Sequence, residues 1–118
     1  MNIQLKRAYH AASQRDGYRL LVDRLWPRGL GKEEARIDDW MKEIAPSTEL
    51  RKWFRHEPAK WEEFRRRYLG ELSHRPELVK RLLEIARSRP LTLVYSAKDE
   101  EHNNAVALRE YLKACDRL

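Results

Sequence analysis

LTLVYSAKDEEHNNAVALREYL, residues 91–112, changes character twice, and the order of those changes decides the fold. Leu91-Thr92-Leu93-Val94-Tyr95 is a short run of apolar, β-branched and aromatic residues, opened by Pro90 and closed by small and polar ones. That is the composition of a buried strand, although periodicity alone does not separate it from a buried helix segment. After Ser96-Ala97-Lys98 a helical pattern begins. Asp99 suits an N-cap, Glu100 and Glu101 would sit in a first turn where the helix dipole favours acids, and Ala105, Leu108, Leu112 and Cys115 form an apolar stripe. Strand, short loop and helix make half of an α/β unit. In such units ligands collect at the carboxyl ends of the strands. Lys98, Asp99, His102, Asn103 and Asn104 all fall at that edge, which makes it the expected site.

Working outward, Ile3-Gln4-Leu5-Lys6-Arg7 alternates and reads as a first strand, with Asp16-Gly17 as a turn signal after it. Tyr18 to Asp23 reads as a second strand, apolar at its centre as a strand covered on both faces should be. Pro27, Gly29 and Gly31 then deny regular structure to a loop carrying Arg24, Trp26 and Arg28. A helical stretch is expected next, with Ile37, Trp40, Met41 and Ile44 on one side, stopped by Ala45-Pro46. Ser47 or Thr48 caps a short helix with Leu50, Trp53 and Phe54 inward. Pro58 opens a third, whose Trp61, Phe64, Tyr68 and Leu72 share a face and whose Glu62/Arg66 and Glu63/Arg67 pairs are spaced for ion pairing. Pro76 opens a fourth, with Leu78, Val79, Leu82, Leu83 and Ile85 inward. The expected architecture is one small α/β domain, 1–118: a short, mostly parallel central sheet of about three or four strands flanked by about four or five helices. The long crossover from the second strand to residue 91 should be right-handed if those strands are parallel.

The chain has 118 residues, 42% hydrophobic and 37% charged, too apolar for disorder and with no run approaching a membrane span. Met1-Asn2-Ile3-Gln4 has no signal-peptide core, and the single cysteine, Cys115, cannot form an internal disulfide, so a cytoplasmic location is expected. No Cys/His spacing resembles a zinc site, so no metal is expected; no P-loop or dinucleotide fingerprint is present, and the sequence leaves any cofactor unknown. Lys and Arg number 25 against 19 Asp and Glu, a net charge of +6 that favours anionic partners, set against a plain solvated surface with acids interspersed among the bases.

Arg24 and Arg28 suit phosphate or carboxylate because the guanidinium fork binds such groups in a bidentate way, unless Arg24 is occupied by Asp23 or another acid. Trp26 either stacks on a ligand ring or plugs the core; Tyr95 either offers its hydroxyl to the pocket or packs inside. Lys98 is the strongest anion candidate and Asn103 a further ligand contact. Asp23, Asp99 and His102 are the candidate proton-handling groups. Asp99 reads more simply as a helix cap, and His102 at the third helical position would act as a neutral donor or acceptor. Trp40, Trp53, Trp61 and Phe64 fall on helical stripes and read as core.

Three blocks carry a family likeness: Leu21-Val22-Asp23-Arg24-Leu25-Trp26-Pro27-Arg28-Gly29, then Ala45-Pro46-Ser47-Thr48-Glu49-Leu50-Arg51-Lys52-Trp53-Phe54, then Tyr95-Ser96-Ala97-Lys98-Asp99-Glu100-Glu101-His102-Asn103. With them the chain closely resembles, end to end, the YeaO-like branch of a bacterial and archaeal family of unknown function. The resemblance implies a compact cytosolic α/β domain and no established reaction. A longer branch of that broad family carries a cysteine at the position of Tyr95 and a Cys-His-Arg run around Asn103-Asn104-Ala105. Those thiol and imidazole positions are absent here, so no metal or thiol chemistry carries over. What the resemblance retains is the acid-arginine-proline loop, Asp23, Arg24 and Pro27, facing the turn after the residue 91–95 strand. The leading expectation is a domain that binds, and in a stronger form transforms, a small anionic metabolite such as a phosphate ester or nucleotide. Two others stand beside it: a nucleic-acid-binding accessory protein using Arg65-Arg66-Arg67 and Arg87/Arg89, and an interaction module using the Trp-rich helices. The sequence leaves the oligomeric state open.

Overall fold

A computed structural model describes residues 1–117. Four strands, β1 (Ile3–Arg7), β2 (Tyr18–Leu21), β3 (Asp39–Trp40) and β4 (Leu91–Tyr95), form one sheet in the order β1-β4-β2-β3, and every pairing is parallel. Five α-helices accompany them: α1 (Lys32–Ala35), α2 (Thr48–Phe54), α3 (Trp61–Ser73), α4 (Pro76–Ser88) and α5 (Asn104–Asp116). The α/β expectation is met, and β4 is buried at every position because it runs between two neighbours and under cover on both faces.

The period-2 alternation sorts the sheet residues. Ile3, Leu20, Leu91, Leu93 and Tyr95 face the helices, where Phe64, Tyr68, Leu72, Leu82, Leu108 and Leu112 complete the main core. Leu21 and Val94 face the other way and, with Ala8, form a smaller cluster covered by Trp26, Leu30, Ile37 and Trp40. Burying Tyr68 is tolerated because its hydroxyl donates to the Ile44 carbonyl at 2.7 Å.

The second face also buries charge. Arg19, on β2, places Nη1 2.6 Å from Asp16 Oδ2 and donates through Nη2 to the Ala35 carbonyl at 2.8 Å. Lys6 Nζ reaches the same carboxylate at 2.9 Å, and the Asp16 carbonyl accepts from Thr92 Oγ1 at 2.6 Å. The pair Asp16-Gly17 is therefore more than a turn. Gly17 has φ 63°, and a Cβ there would lie 2.3 Å from the Pro90 carbonyl oxygen, so only glycine lets β2 begin against Pro90.

The sequence-based expectation of one helix across residues 37–44 is corrected. That segment follows α1 and holds β3 and a 3-10 turn, Lys42–Ile44. Leu20 and Leu21 pair with Asp39 and Trp40, Met41 N–H donates to the Leu21 carbonyl at 3.0 Å, and Trp40 Nε1 donates to the Asp23 carbonyl at 2.7 Å. An unpaired edge on β2 outweighs a short helical pattern rich in residues that favour strands. Of the two ion pairs expected on α3, Glu63/Arg67 forms at 2.7 Å, and the other is corrected: Arg66 turns to Glu63 at 2.6 Å instead of Glu62.

Candidate functional site

β2 and β4 are central neighbours, and their carboxyl ends are tied together beyond the regular ladder. Val22 N–H donates to the Val94 carbonyl at 3.0 Å. Asp23 Oδ2 then accepts from Ser96 N–H at 2.9 Å and from Ser96 Oγ at 2.7 Å, while Oδ1 accepts from Asn104 Nδ2 at 3.1 Å. The other Asn104 amide hydrogen goes to the Val22 carbonyl at 3.1 Å. Asp23 is thus the clasp that fixes the loop after β2 to the loop after β4 and to the start of α5, and this engagement leaves it poorly placed to serve as a free base.

Above the clasp lies a cavity of about 540 Å³, a volume suited to a metabolite. Five cationic side chains line it: Arg7 from the end of β1, Arg24 and Arg28 from the β2 loop, Arg51 from α2 and Lys98 from the β4 loop. Asp23 is the only acid among the lining residues. Among the described residues none of the five forms an ion pair with a carboxylate. Arg24 instead donates weakly, at 3.4 Å, to the Ala45 and Pro46 carbonyls, and Arg7 to the Ala97 and Ser96 carbonyls at 2.8 and 3.2 Å. Carbonyls fix the guanidinium heads without neutralising them. Tyr9 braces the far side, its hydroxyl donating to the Arg28 carbonyl at 2.8 Å and its ring lying 5.1 Å from the Arg7 guanidinium carbon. His56, Phe54 and Phe64 complete the wall beside α2 and α3, with the two phenyl rings stacked at 4.2 Å.

The residues singled out from the sequence divide into two groups. Asp23, Arg24, Trp26, Arg28, Lys98 and Asn103 come together around the cavity. Trp26 is also a plug: Nε1 donates to the Leu30 carbonyl at 2.7 Å and the ring meets Trp40 edge-on at 5.5 Å. Asn103 is buried, its Oδ1 accepting from Val106 N–H at 3.0 Å as the N-cap of α5 and its Nδ2 donating to the Asp99 carbonyl at 2.9 Å. Tyr95, Asp99 and His102 lie outside the lining. Tyr95 packs in the core, and burial raises its hydroxyl above the ordinary value. Asp99 accepts from Glu101 N–H and His102 N–H at 2.9 and 3.0 Å and contacts the His102 ring at 3.0 Å; the Glu101 N–H, then the imidazole and the His102 N–H, hold its carboxyl below the usual range. The cap assignment at Asp99 is corrected: α5 begins at Asn104 with Asn103 as its cap, so His102 precedes the helix and rests edge-on against Trp61 at 5.3 Å.

Among the wall residues not singled out in the sequence are the polar or charged Arg7, Tyr9, Arg51 and His56. Arg7 had a usable signal, since a parallel pairing of residues 3–7 with 91–95 sets Arg7 opposite Tyr95. Arg51 and His56 had none, because helix packing alone brings them over. Phe64, read as core only, also reaches the cavity. Among the described residues no group of three or more His, Cys, Asp or Glu is arranged to hold a metal, and no helix is long and apolar enough to cross a membrane.

The chain is 53% identical over 114 residues to the uncharacterised protein YeaO of Escherichia coli K12, covering 97% of this chain and 99% of that one. It is 34% identical over 110 residues to the uncharacterised protein Rv3073c of Mycobacterium tuberculosis H37Rv, and equally to Mb3100c of Mycobacterium bovis, covering 93% of this chain and 92% of each. No solved structure matches the chain. A family model, DUF488-N3i, described as the inactive DUF488-N3 subclade, matches residues 2–116, and the chain belongs to that family.

Proposed function

We propose that the chain binds a small anionic metabolite, a phosphate ester or nucleotide, in the cavity at the carboxyl ends of β2 and β4. One observation carries this reading: five unneutralised cationic side chains surround one cavity whose single acid is consumed by the strand clasp. Holding like charges together in a partly water-excluded space costs free energy that an anion offsets. Binding without turnover is favoured, because the Asp99–His102 pair stands outside the cavity and Asp23 is engaged; the family description as an inactive subclade agrees with this. A cytoplasmic location fits the reading, with Cys115 free.

The test is thermal unfolding with phenyl phosphate, with AMP and with inorganic phosphate. A ligand present at a hundred times its Kd stabilises by about 2.7 kcal/mol, and that stabilisation should vanish in Arg24→Ala and Lys98→Ala while their ligand-free midpoints stay near that of the parent. No shift with any phosphate compound would remove the proposal, and unfolded variants would make these two residues structural.

The nucleic-acid reading is weaker. Arg65 pairs with Glu110, Arg66 and Arg67 with Glu63, and Arg87 with Asp116, which leaves net charge as its main support. It requires steeply salt-dependent binding to DNA or RNA.

A further inference from the structure

We infer that the anion taken by this cavity is carried on a flat apolar body, as in an aromatic phosphate or carboxylate, and not on a sugar. The inference rests on the reading of the cavity as an anion site and narrows the phosphate esters and nucleotides proposed above to aromatic anions that carry no sugar, which places AMP below phenyl phosphate.

The first ground is the balance of hydrogen-bonding groups. Arg7, Arg24, Arg28, Arg51 and Lys98 supply donors and no acceptors. The acceptors that could answer a ligand hydroxyl are already taken. Both Asp23 oxygens are bound by Ser96 and Asn104, and Asn103 Oδ1 is bound by Val106 N–H. The Ala45 carbonyl accepts from Arg24 and, at 2.7 Å, from Arg75. Asn104 Oδ1, the His56 ring and the spare lone pairs of the Ser96 and Tyr9 hydroxyls are the side-chain acceptors left in the wall, few beside the donors of five cationic side chains. A sugar phosphate would bring a ring of hydroxyls whose hydrogens need acceptors, and burying them without partners is costly. An aromatic body makes no such demand.

The second ground is the apolar surface in the same wall. Phe54 and Phe64, stacked and only 4% and 2% exposed, back the wall with Pro27 and Pro46, while Trp26 and Leu25 are its more open apolar side chains. Among the described residues three large hydrophobic side chains are notably exposed, Met1, Tyr9 at 44% and Leu25 at 59%, and the last two both border the cavity. A solvent-facing Leu25 on a loop that otherwise buries its apolar residues fits a contact completed by a ligand.

The third ground is backbone geometry. Arg55 and His56 are consecutive non-glycine residues in the left-handed region, φ 50° and 57°. Two glycines would make that turn with less strain; keeping side chains there holds the His56 ring 5.9 Å from Phe54, tilted 53° to it, and adds a third ring to that wall.

Titration calorimetry on the full chain with phenyl phosphate, ribose 5-phosphate and inorganic phosphate tests the inference. Phenyl phosphate should bind at least about tenfold more tightly than either of the others. Leu25→Ser, which removes only exposed surface, and Phe54→Leu, with folding checked by its melting curve, should each shrink that advantage and leave inorganic phosphate binding unchanged. Ribose 5-phosphate binding as tightly as phenyl phosphate would overturn the inference while leaving the anion site standing. So would a phenyl advantage that both variants retain in full. If none of the three binds, the anion site itself falls, and the inference with it.

Discussion

Replacing Asp23 with asparagine separates a clasp from a catalytic base, because the two roles predict different losses. The carboxylate accepts three hydrogen bonds, from Ser96 N–H, Ser96 Oγ and Asn104 Nδ2, at 2.9, 2.7 and 3.1 Å. Asparagine keeps the shape but offers one oxygen. If that oxygen faces Ser96, its two bonds survive as neutral ones, and the new amide points its hydrogens at Asn104 Nδ2, donor against donor. If the amide flips, Ser96 N–H loses its acceptor instead. Hydrogen bonds to a charged group contribute about 1.5–3 kcal/mol and neutral ones about 0.5–1.5. Weakening two and breaking a third should therefore cost about 2–4 kcal/mol. For a domain of this length that corresponds to a fall of roughly 10 °C in the melting midpoint. Urea unfolding, followed by far-UV circular dichroism and by tryptophan fluorescence, measures the loss and shows whether the transition stays two-state. The variant should also lose phosphate binding, since the loops carrying Arg24 and Lys98 are no longer held together. An Asp23→Asn protein as stable as its parent would refute the clasp and return Asp23 to the candidate bases.

Gly17→Ala should fail to accumulate as a folded protein, or unfold at far lower denaturant, because its Cβ would lie 2.3 Å from the Pro90 oxygen at a backbone conformation unfavourable to alanine; chemical denaturation of whatever is recovered reads this out. The Asp16 carboxyl sits below its ordinary value because, although burial pushes it up, hydrogen bonds from Lys6, Ser13 N–H and Arg19 outweigh that. Its contribution to stability is therefore complete above the ordinary carboxylate range and is lost as pH falls through about 4 and below. Denaturation midpoints across pH 2–7 should drop more steeply for the parent than for Asp16→Asn, which should already be weaker at neutral pH by about 3–5 kcal/mol for leaving the buried Arg19 without its partner; parallel curves would show that Asp16 is not the titrating group.

The strands that define the fold were legible because their signal is local. Residues 3–7 and 91–95 carry β-rich composition between clear breaks, and β1 and β4 occupy those spans. Residues 37–44 were not legible, because the spacing of Ile37, Trp40, Met41 and Ile44 suits a helix while the deciding interaction is with Leu20 and Leu21, far away in sequence. Asp16 illustrates a second kind of blindness. A turn dipeptide looks the same whether its acid points to water or, as here, to a buried arginine and a lysine on a neighbouring strand.

The candidate site divides along the same line. Arg24, Arg28 and Lys98 were legible because all-parallel topology sends each loop that follows a strand to one edge, so reading the strands also locates the loops. By that logic Arg7, last residue of β1, belonged with them from the start. Proximity in sequence to Lys98 was the misleading cue for Asp99 and His102. Eight residues separate Tyr95 from α5, enough to turn the chain away from the cavity, and the Asp99 carboxylate organises that turn through its bonds to the next residues while His102 is drawn onto Trp61 of α3. The ring–ring contact and the cap on Asn103 fix which way the segment faces, and neither is visible until α3 is packed. Arg7 at the end of β1 and the loops that leave β2 and β4 therefore locate the pocket in this chain, whereas Asp99 and His102 report how α5 is seated.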